Sequence, residues 1–368
     1  MIYLDYAAST PLPKAILETM IPWFCEDFGN PSSSHYQGRK AAKAVERARE
    51  IIADKIGAYP SEIVFTSGAT ESNNLALKGI ALARRDKGRH IITSSIEHKC
   101  ILSICNYLEN EGFEITYVEP NKYGEITSAS ISKVIRDDTI IVSISHVNNE
   151  LGTTQPIREI GALCFDKGVL FHTDAAQSFC KLDINVDDMY IDLMSVSAHK
   201  CYGPKGIGAL YIRDLRETKV DPVIHGAGQE LGLRGGTLAS PLIIGMGEAV
   251  SQSGLYIDQV AIGEVRSAFL NELGKYCSYT INGGVSVIPN ILNITIQKLD
   301  IQSLMRDEEL AISQGSACSS MAIDISHVLR AIGLSFEQGE KTLRISLGYG
   351  YTPQKAKAAA ATLAKHIS

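Results

Sequence analysis

The sequence predicts an α/β protein: a large domain built on a mostly parallel, seven-stranded sheet flanked by helices, with a smaller α+β domain beside it. Three observations predict this. Seven short apolar runs of strand length alternate with helical patterns through the middle of the chain. The last third mixes strand and helix patterns without that alternation. And 368 residues are too many for one ordinary core.

Taken in order, residues 1–10 carry no sheet pattern of their own and are expected to run across the cleft between the domains. Residues 39–56 place Ala41, Ala44, Val45, Ala48, Ile52 and Ile56 at helical spacing, with a solvated charged face between them and Gly57 as a stop. The seven strand runs are Ile63-Val64-Phe65 and residues 90–93, 115–118, 139–144, 169–172, 193–196 and 206–212. Further on, 260–276 reads as helix, 290–296 as strand, 301–309 as helix, 342–347 as strand and 353–367 as helix. The division expected is a large domain over 15–255 and a small one over 1–14 and 256–368.

Composition narrows the class. Hydrophobic residues make up 45% and charged residues 21%, as in a soluble globular protein. A net charge of -6 argues against strong direct nucleic-acid binding. No apolar stretch approaches a membrane span, and Met1-Ile2-Tyr3-Leu4-Asp5 does not begin a signal peptide, so a cytoplasmic protein is expected. The eight cysteines (Cys25, Cys100, Cys105, Cys164, Cys180, Cys201, Cys277 and Cys318) form no C-x-x-C pair. Most read as small buried apolar residues in a reducing compartment, and their spacing offers no zinc site.

Four local features carry chemistry. Ile63-Val64-Phe65 runs into Thr66-Ser67-Gly68-Ala69-Thr70-Glu71-Ser72-Asn73 before a helix, where small residues and a helix N-terminus suit a phosphate; a plain capped turn has the same signature. Asp174 ends a buried strand, where a carboxylate meets a ligand in an open α/β sheet, and it equally suits a helix N-cap before Ala175-Ala176-Gln177. Lys200 follows the run Ser195-Val196-Ser197-Ala198-His199 and precedes Gly203, Pro204, Gly206 and Gly208; partial burial there lowers an amine's pKa and frees it for imine formation, while an ordinary turn lysine looks the same locally. His98 follows the strand at 90–93, where its ring is placed either to stack on a planar ligand or to serve the fold.

Together these residues closely resemble the cysteine desulfurases, pyridoxal phosphate (PLP) enzymes of fold type I in the class V aminotransferase group. The match runs nearly end to end and in order: Leu4-Asp5-Tyr6-Ala7-Ala8-Ser9-Thr10-Pro11, Gly29-Asn30-Pro31-Ser32-Ser33, Phe65 to Asn73, Glu97-His98-Lys99, His146-Val147-Asn148-Asn149-Glu150-Leu151-Gly152, His172 to Gln177, Ser197 to Lys200 and Arg234-Gly235-Gly236-Thr237. The resemblance implies that Lys200 holds PLP as a Schiff base and that Asp174 pairs with the pyridinium nitrogen. It implies that His98 stacks on the ring and moves protons, and that Gln177 bonds the phenolic oxygen. Ala69, Thr70, Ser197 and His199 would hold the phosphate. Thr237 would reach the phosphate of a neighbouring subunit, which implies a homodimer with shared active sites. Asn149 and Arg344 would bind the carboxylate of L-cysteine, a task that suits the planar guanidinium fork.

Gly315-Ser316-Ala317-Cys318-Ser319-Ser320 is a stretch of small residues, and Cys318 resembles the family's catalytic cysteine, in the serine-rich form of the group that includes the housekeeping enzymes. The resemblance then implies conversion of L-cysteine to L-alanine with a persulfide on Cys318, passed to a sulfur-acceptor protein. Cys201, beside Lys200, is the rival thiol and is expected to be a packing residue. Two features depart from the family. Glu230-Leu231-Gly232 stands where the family has glutamate–arginine–glycine, and the chain ends at Ser368 without the longer tail with which housekeeping relatives engage the iron–sulfur scaffold. The first reads as a change in site or interface electrostatics without loss of chemistry; from the second, a dedicated sulfur donor, for example to DNA phosphorothioation, is expected alongside a housekeeping donor for iron–sulfur assembly or tRNA thiolation. An aminotransferase or selenocysteine lyase, which Cys318 argues against, and a non-catalytic scaffold are the remaining readings.

Overall fold

The computed structural model describes residues 1–314 and 325–367. Its centre is a seven-stranded sheet made of β2 (Ile63–Thr66), β3 (His90–Ser94), β4 (Glu114–Val118), β5 (Thr139–Ser143), β6 (Leu170–Asp174), β7 (Leu193–Ser197) and β8 (Gly208–Ile212). The spatial order is β2-β8-β7-β6-β5-β3-β4. Strands β7, β6, β5, β3 and β4 pair in parallel, and β8 runs antiparallel to both of its neighbours. This is the mostly parallel sheet that the apolar runs predict.

Both sheet faces are covered, which is why these strands are continuously apolar rather than alternating. One face buries Phe65, Ile92, Val142, Phe171 and Met194 against Val45, Ile52 and Ile56 of helix Tyr36–Ile56. The other buries Val64, Ile91, Ile141, Leu170 and Leu193 with Leu75, Ile80, Ile101, Ile104 and Leu108 of the helices Ala69–Ala83 and Lys99–Asn110. Gly57 stops the first of these helices in the left-handed region, φ 72°, where a side chain would also strike Asn185 at 2.6 Å.

A separate core lies in the last third of the chain. Phe269, Leu292, Ile294, Leu343, Ile345, Ala356, Ala360 and Leu363 pack a three-stranded antiparallel sheet against the helices Gln259–Leu273 and Pro353–Ala364. Its strands are β9 (Thr280–Asn282), β10 (Ile291–Thr295) and β12 (Thr342–Ser346), in the order β12-β10-β9.

Two expectations are corrected here. Residues 1–10 do enter a sheet: β1 (Ile2–Tyr3) pairs in parallel with β11 (Leu310–Ala311), and Ile2 N donates to Glu309 O at 2.6 Å. A two-residue strand is too short to show alternation. The same pairing shortens the expected 301–309 helix to Ile301–Met305, because Glu309 is taken up as a backbone partner of the N-terminus.

The outer edge of β2 is completed by side chains. Phe65 N donates to Glu230 Oε2 at 2.6 Å, and Arg49 Nη1 donates to Ile63 O at 2.6 Å. Arg49 and Glu230 are themselves paired twice, at 2.7 and 2.9 Å, and both are buried. Among the described residues, no helix is long and apolar enough to cross a membrane.

Candidate active site

The ends of β2, β3, β5, β6 and β7 open on one side of the sheet, the usual ligand position in an open α/β fold. A cavity of about 510 Å³ lies there. Of the residues singled out from sequence, Ala69, Thr70, His98, Asn149, Asp174, Gln177, Ser197, His199, Lys200 and Arg344 all line it. Thr237 is exposed and does not line this chain's own cavity. Cys318 lies outside the described residues.

The anion end is built by β2 and the helix after it. Helix Ala69–Ala83 begins at Gly68 with no side-chain cap, so its first N–H groups are left for a ligand. Gly68 has φ 151°, and a Cβ there would meet only Ser197 Oγ at 3.7 Å, facing the space a phosphate needs. Glu71 anchors the turn: Oε2 accepts from Ser67 N at 2.8 Å and Oε1 from Arg234 Nε at 2.8 Å.

The acid end is Asp174. Its Oδ1 accepts from Ala176 N at 2.9 Å, which closes a turn rather than capping the helix expected after it, since residues 176–180 form turns and, among the described residues, no helix lies between β6 and β7; Oδ2 accepts from Asn73 Nδ2 at 2.8 Å. Gln177 donates through Nε2 to Ala7 O at 2.8 Å and accepts at Oε1 from Lys181 Nζ at 3.3 Å, which fixes its amide orientation. Burial lowers the Lys181 amine to about 8. His98 caps a helix, accepting at Nδ1 from Cys100 N at 3.2 Å. Burial first, and then the positive charge of Lys200, push its pKa down. Burial likewise takes His199 to about 4, leaving a neutral ring at the anion end.

At the far wall, Arg344 is 3% exposed. It donates to Asp5 Oδ1 at 2.7 Å and to Asn149 O at 3.1 Å, and its Nε is buried without a partner. Cys201 is buried, with its Sγ 3.3 Å from Ala198 O, as a packing residue would be. Of the other cysteines, Cys25 is exposed rather than buried.

An uncapped helix start bordered by Gly68, an anchored buried carboxylate, an amine at Lys200 and a buried guanidinium with an unfilled donor fit a phosphorylated pyridine carrying an amino-acid substrate. Asn73, Cys100, Asp5 and Lys181 complete the surroundings; the partners that place Asn73 and Asp5 there, Asp174 and Arg344, are distant in the chain, so no local window shows them.

The family model Aminotransferase class-V matches residues 2–358. The cysteine desulfurase IscS of Pseudomonas aeruginosa (strain LESB58) is 46% identical over 374 residues, covering 100% of this chain and 93% of the relative. Among solved structures, SspA in complex with cysteine is 50% identical with a TM-score of 0.88, covering 96% of this chain and 100% of that one. DndA from Streptomyces lividans is 38% identical with a TM-score of 0.79, covering 94% and 99%.

Proposed function

This chain belongs to the class-V aminotransferase family and is a PLP-dependent cysteine desulfurase of fold type I, and on that premise we propose that it acts in the cytoplasm as a homodimer. In this reading it converts L-cysteine to L-alanine, and the persulfide on Cys318 supplies a dedicated sulfur-modification pathway such as DNA phosphorothioation. The observation that carries the site assignment is the single cavity that gathers Lys200, Asp174, His98, Asn149, Arg344 and the helix start at Ala69.

PLP supplies an electron sink for bonds at the substrate Cα. The chain's own residues do the rest. Ala69, Thr70, Ser197 and His199 hold the phosphate, and Thr237 serves that of a second copy. Asp174 would keep the ring nitrogen protonated, His98 would stack on the ring and Gln177 would meet its phenolic oxygen. Arg344 and Asn149 receive the substrate carboxylate. Lys200 would hold the cofactor at rest and would move a proton at the substrate Cα. Cys318 thiolate then attacks the substrate sulfur: an S–S bond forms, the C–S bond breaks with its electron pair going to carbon, and protonation releases alanine.

The choice of a dedicated acceptor is supported by Leu231, which replaces the family arginine and is 77% exposed, so that an apolar side chain is offered where relatives place a charge. The second reading, a housekeeping donor for iron–sulfur assembly or tRNA thiolation, is favoured by the whole-chain likeness to the IscS relative. Feeding radiolabelled cysteine to the purified enzyme tests the chemistry. Label on Cys318 with equimolar alanine is expected, and label that persists in Cys318→Ser overturns the assignment of the nucleophile. Adding candidate acceptor proteins to the labelled enzyme decides the pathway.

A further inference from the structure

Cys100 is a second thiol on the wall of the cavity. Its Sγ lies 3.0 Å from His98 Nδ1 and 3.2 Å from Asn73 Nδ2. The same Asn73 nitrogen lies 2.8 Å from Asp174 Oδ2. The direction of every bond in this chain is fixed by chemistry. Asp174 accepts, so Asn73 turns its NH2 group toward both the carboxylate and the sulfur; flipping the amide would set Oδ1 against the carboxylate. The sulfur therefore accepts from Asn73, and because the Cys100 backbone N–H donates to His98 Nδ1, that nitrogen is an acceptor and the thiol's own S–H points to it. The Cys100 backbone N–H meets that same nitrogen at 3.2 Å. With two donors aimed at Nδ1, only Nε2 is left to carry the ring proton.

We propose that Cys100 is a positioning residue for His98: its thiol, oriented by Asn73, links the imidazole to the Asp174 carboxylate and holds the ring in the tautomer protonated at Nε2. The inference rests on the reading that His98 stacks on the cofactor and moves protons. Burial, reinforced by the Asp174 charge, pushes the Cys100 thiol up to about 12, so it remains an S–H donor across the neutral range. The charged and titratable groups facing His98 are Lys200 and Asp174 across the cavity, His327 from helix His327–Ala331, and Lys99 beside it. The thiol, 3.0 Å from Nδ1, is the side chain that adds to the backbone N–H in setting the tautomer.

Two measurements on the holoenzyme test this. Nitrogen-15 spectra of labelled histidine should show His98 with an unprotonated Nδ1 and a protonated Nε2. In Cys100→Ala the donor is lost and the imidazolium form gains, so the acid limb of the kcat/KM profile for cysteine should move up by about half to one pH unit. The Nδ1 resonance should move with it, and Cys100→Ser, which restores a donor, should bring both back toward the parent. Profiles and spectra of Cys100→Ala that superimpose on the parent overturn the inference, as does a Cys100→Ser enzyme indistinguishable from Cys100→Ala. A parent that shows this tautomer yet releases no alanine would instead overturn the functional reading.

Discussion

Arg344 and Asp5 meet at 2.7 Å although 339 positions separate them in the chain. Asp5 holds one arm of the guanidinium and Asn149 O holds another, while Nε has no partner. The arrangement fixes a buried cation at the cavity wall, where the proposed function puts the substrate carboxylate. Losing such a charge-assisted contact costs about 1.5–3 kcal/mol, so kcat/KM for cysteine should fall about 10- to 150-fold in Arg344→Ala. The loss should sit in KM if the contact is made equally in ground and transition states. Steady-state kinetics of alanine release measures this, with Asp5→Asn expected to show a smaller change of the same kind.

Gly68 tests the proposal that the start of helix Ala69–Ala83 holds the cofactor phosphate. Its φ of 151° is a conformation L side chains rarely adopt, and it immediately precedes the open helix start. In Gly68→Ala the turn must rearrange at a cost on the order of 1–3 kcal/mol. Affinity for PLP, read from the cofactor's absorbance during dialysis, should weaken by at least about tenfold with little change in the secondary structure seen by circular dichroism.

Glu97 gives the fold a pH dependence. It is fully buried, and burial raises its carboxyl to about 7 even though Ser145 N and Ser94 Oγ donate to it at 3.0 and 2.7 Å. Between its ordinary value of 4.5 and about 7 the folded state binds the extra proton. Stability from this group is therefore complete below about 4.5 and is lost as pH rises through about 7. The buried His146 and His172, lowered to about 4, act in the opposite direction, since folding excludes their protons and stability recovers as pH rises from about 4 to 6.5. In Glu97→Gln the falling limb should disappear, a difference of up to roughly 3 kcal/mol between pH 5 and 8 in urea unfolding of parent and variant.

The Arg49–Glu230 pair predicts a large stability effect far from the chemistry. Removing either partner alone leaves a buried charge, and Arg49→Met or Glu230→Gln should destabilise by about 3–5 kcal/mol. The double variant should lose less than the sum, because its two sites share one interaction. Denaturant midpoints of the three variants provide the check.

Much of this molecule was legible in its sequence, for identifiable reasons. Strands such as Leu193–Ser197 announce themselves because both faces are buried, and motif residues such as Asp174 and Lys200 sit at strand ends where chain order alone places them. Pairings made by tertiary structure were not legible. Ile2–Tyr3 is too short to carry a pattern, and Glu309 looks helical until the N-terminus claims its carbonyl. The contact of Asn73 with Cys100 and Asp174 joins two helices and a strand end, so no local window contains it. Thr237 and Cys318 stand apart: one is exposed and does not line this chain's cavity, and the other lies outside the described residues.

The two side chains bonded to β2 have a further consequence. An edge strand ordinarily offers its free N–H and C=O groups to any extended peptide that drifts past, which is how sheets of separate molecules fuse. Here Ile63 O and Phe65 N are already engaged by Arg49 and Glu230. A pair of opposite charges thus closes the sheet to strand invasion at the very strand that leads into Gly68 and helix Ala69–Ala83, and does so without adding another strand.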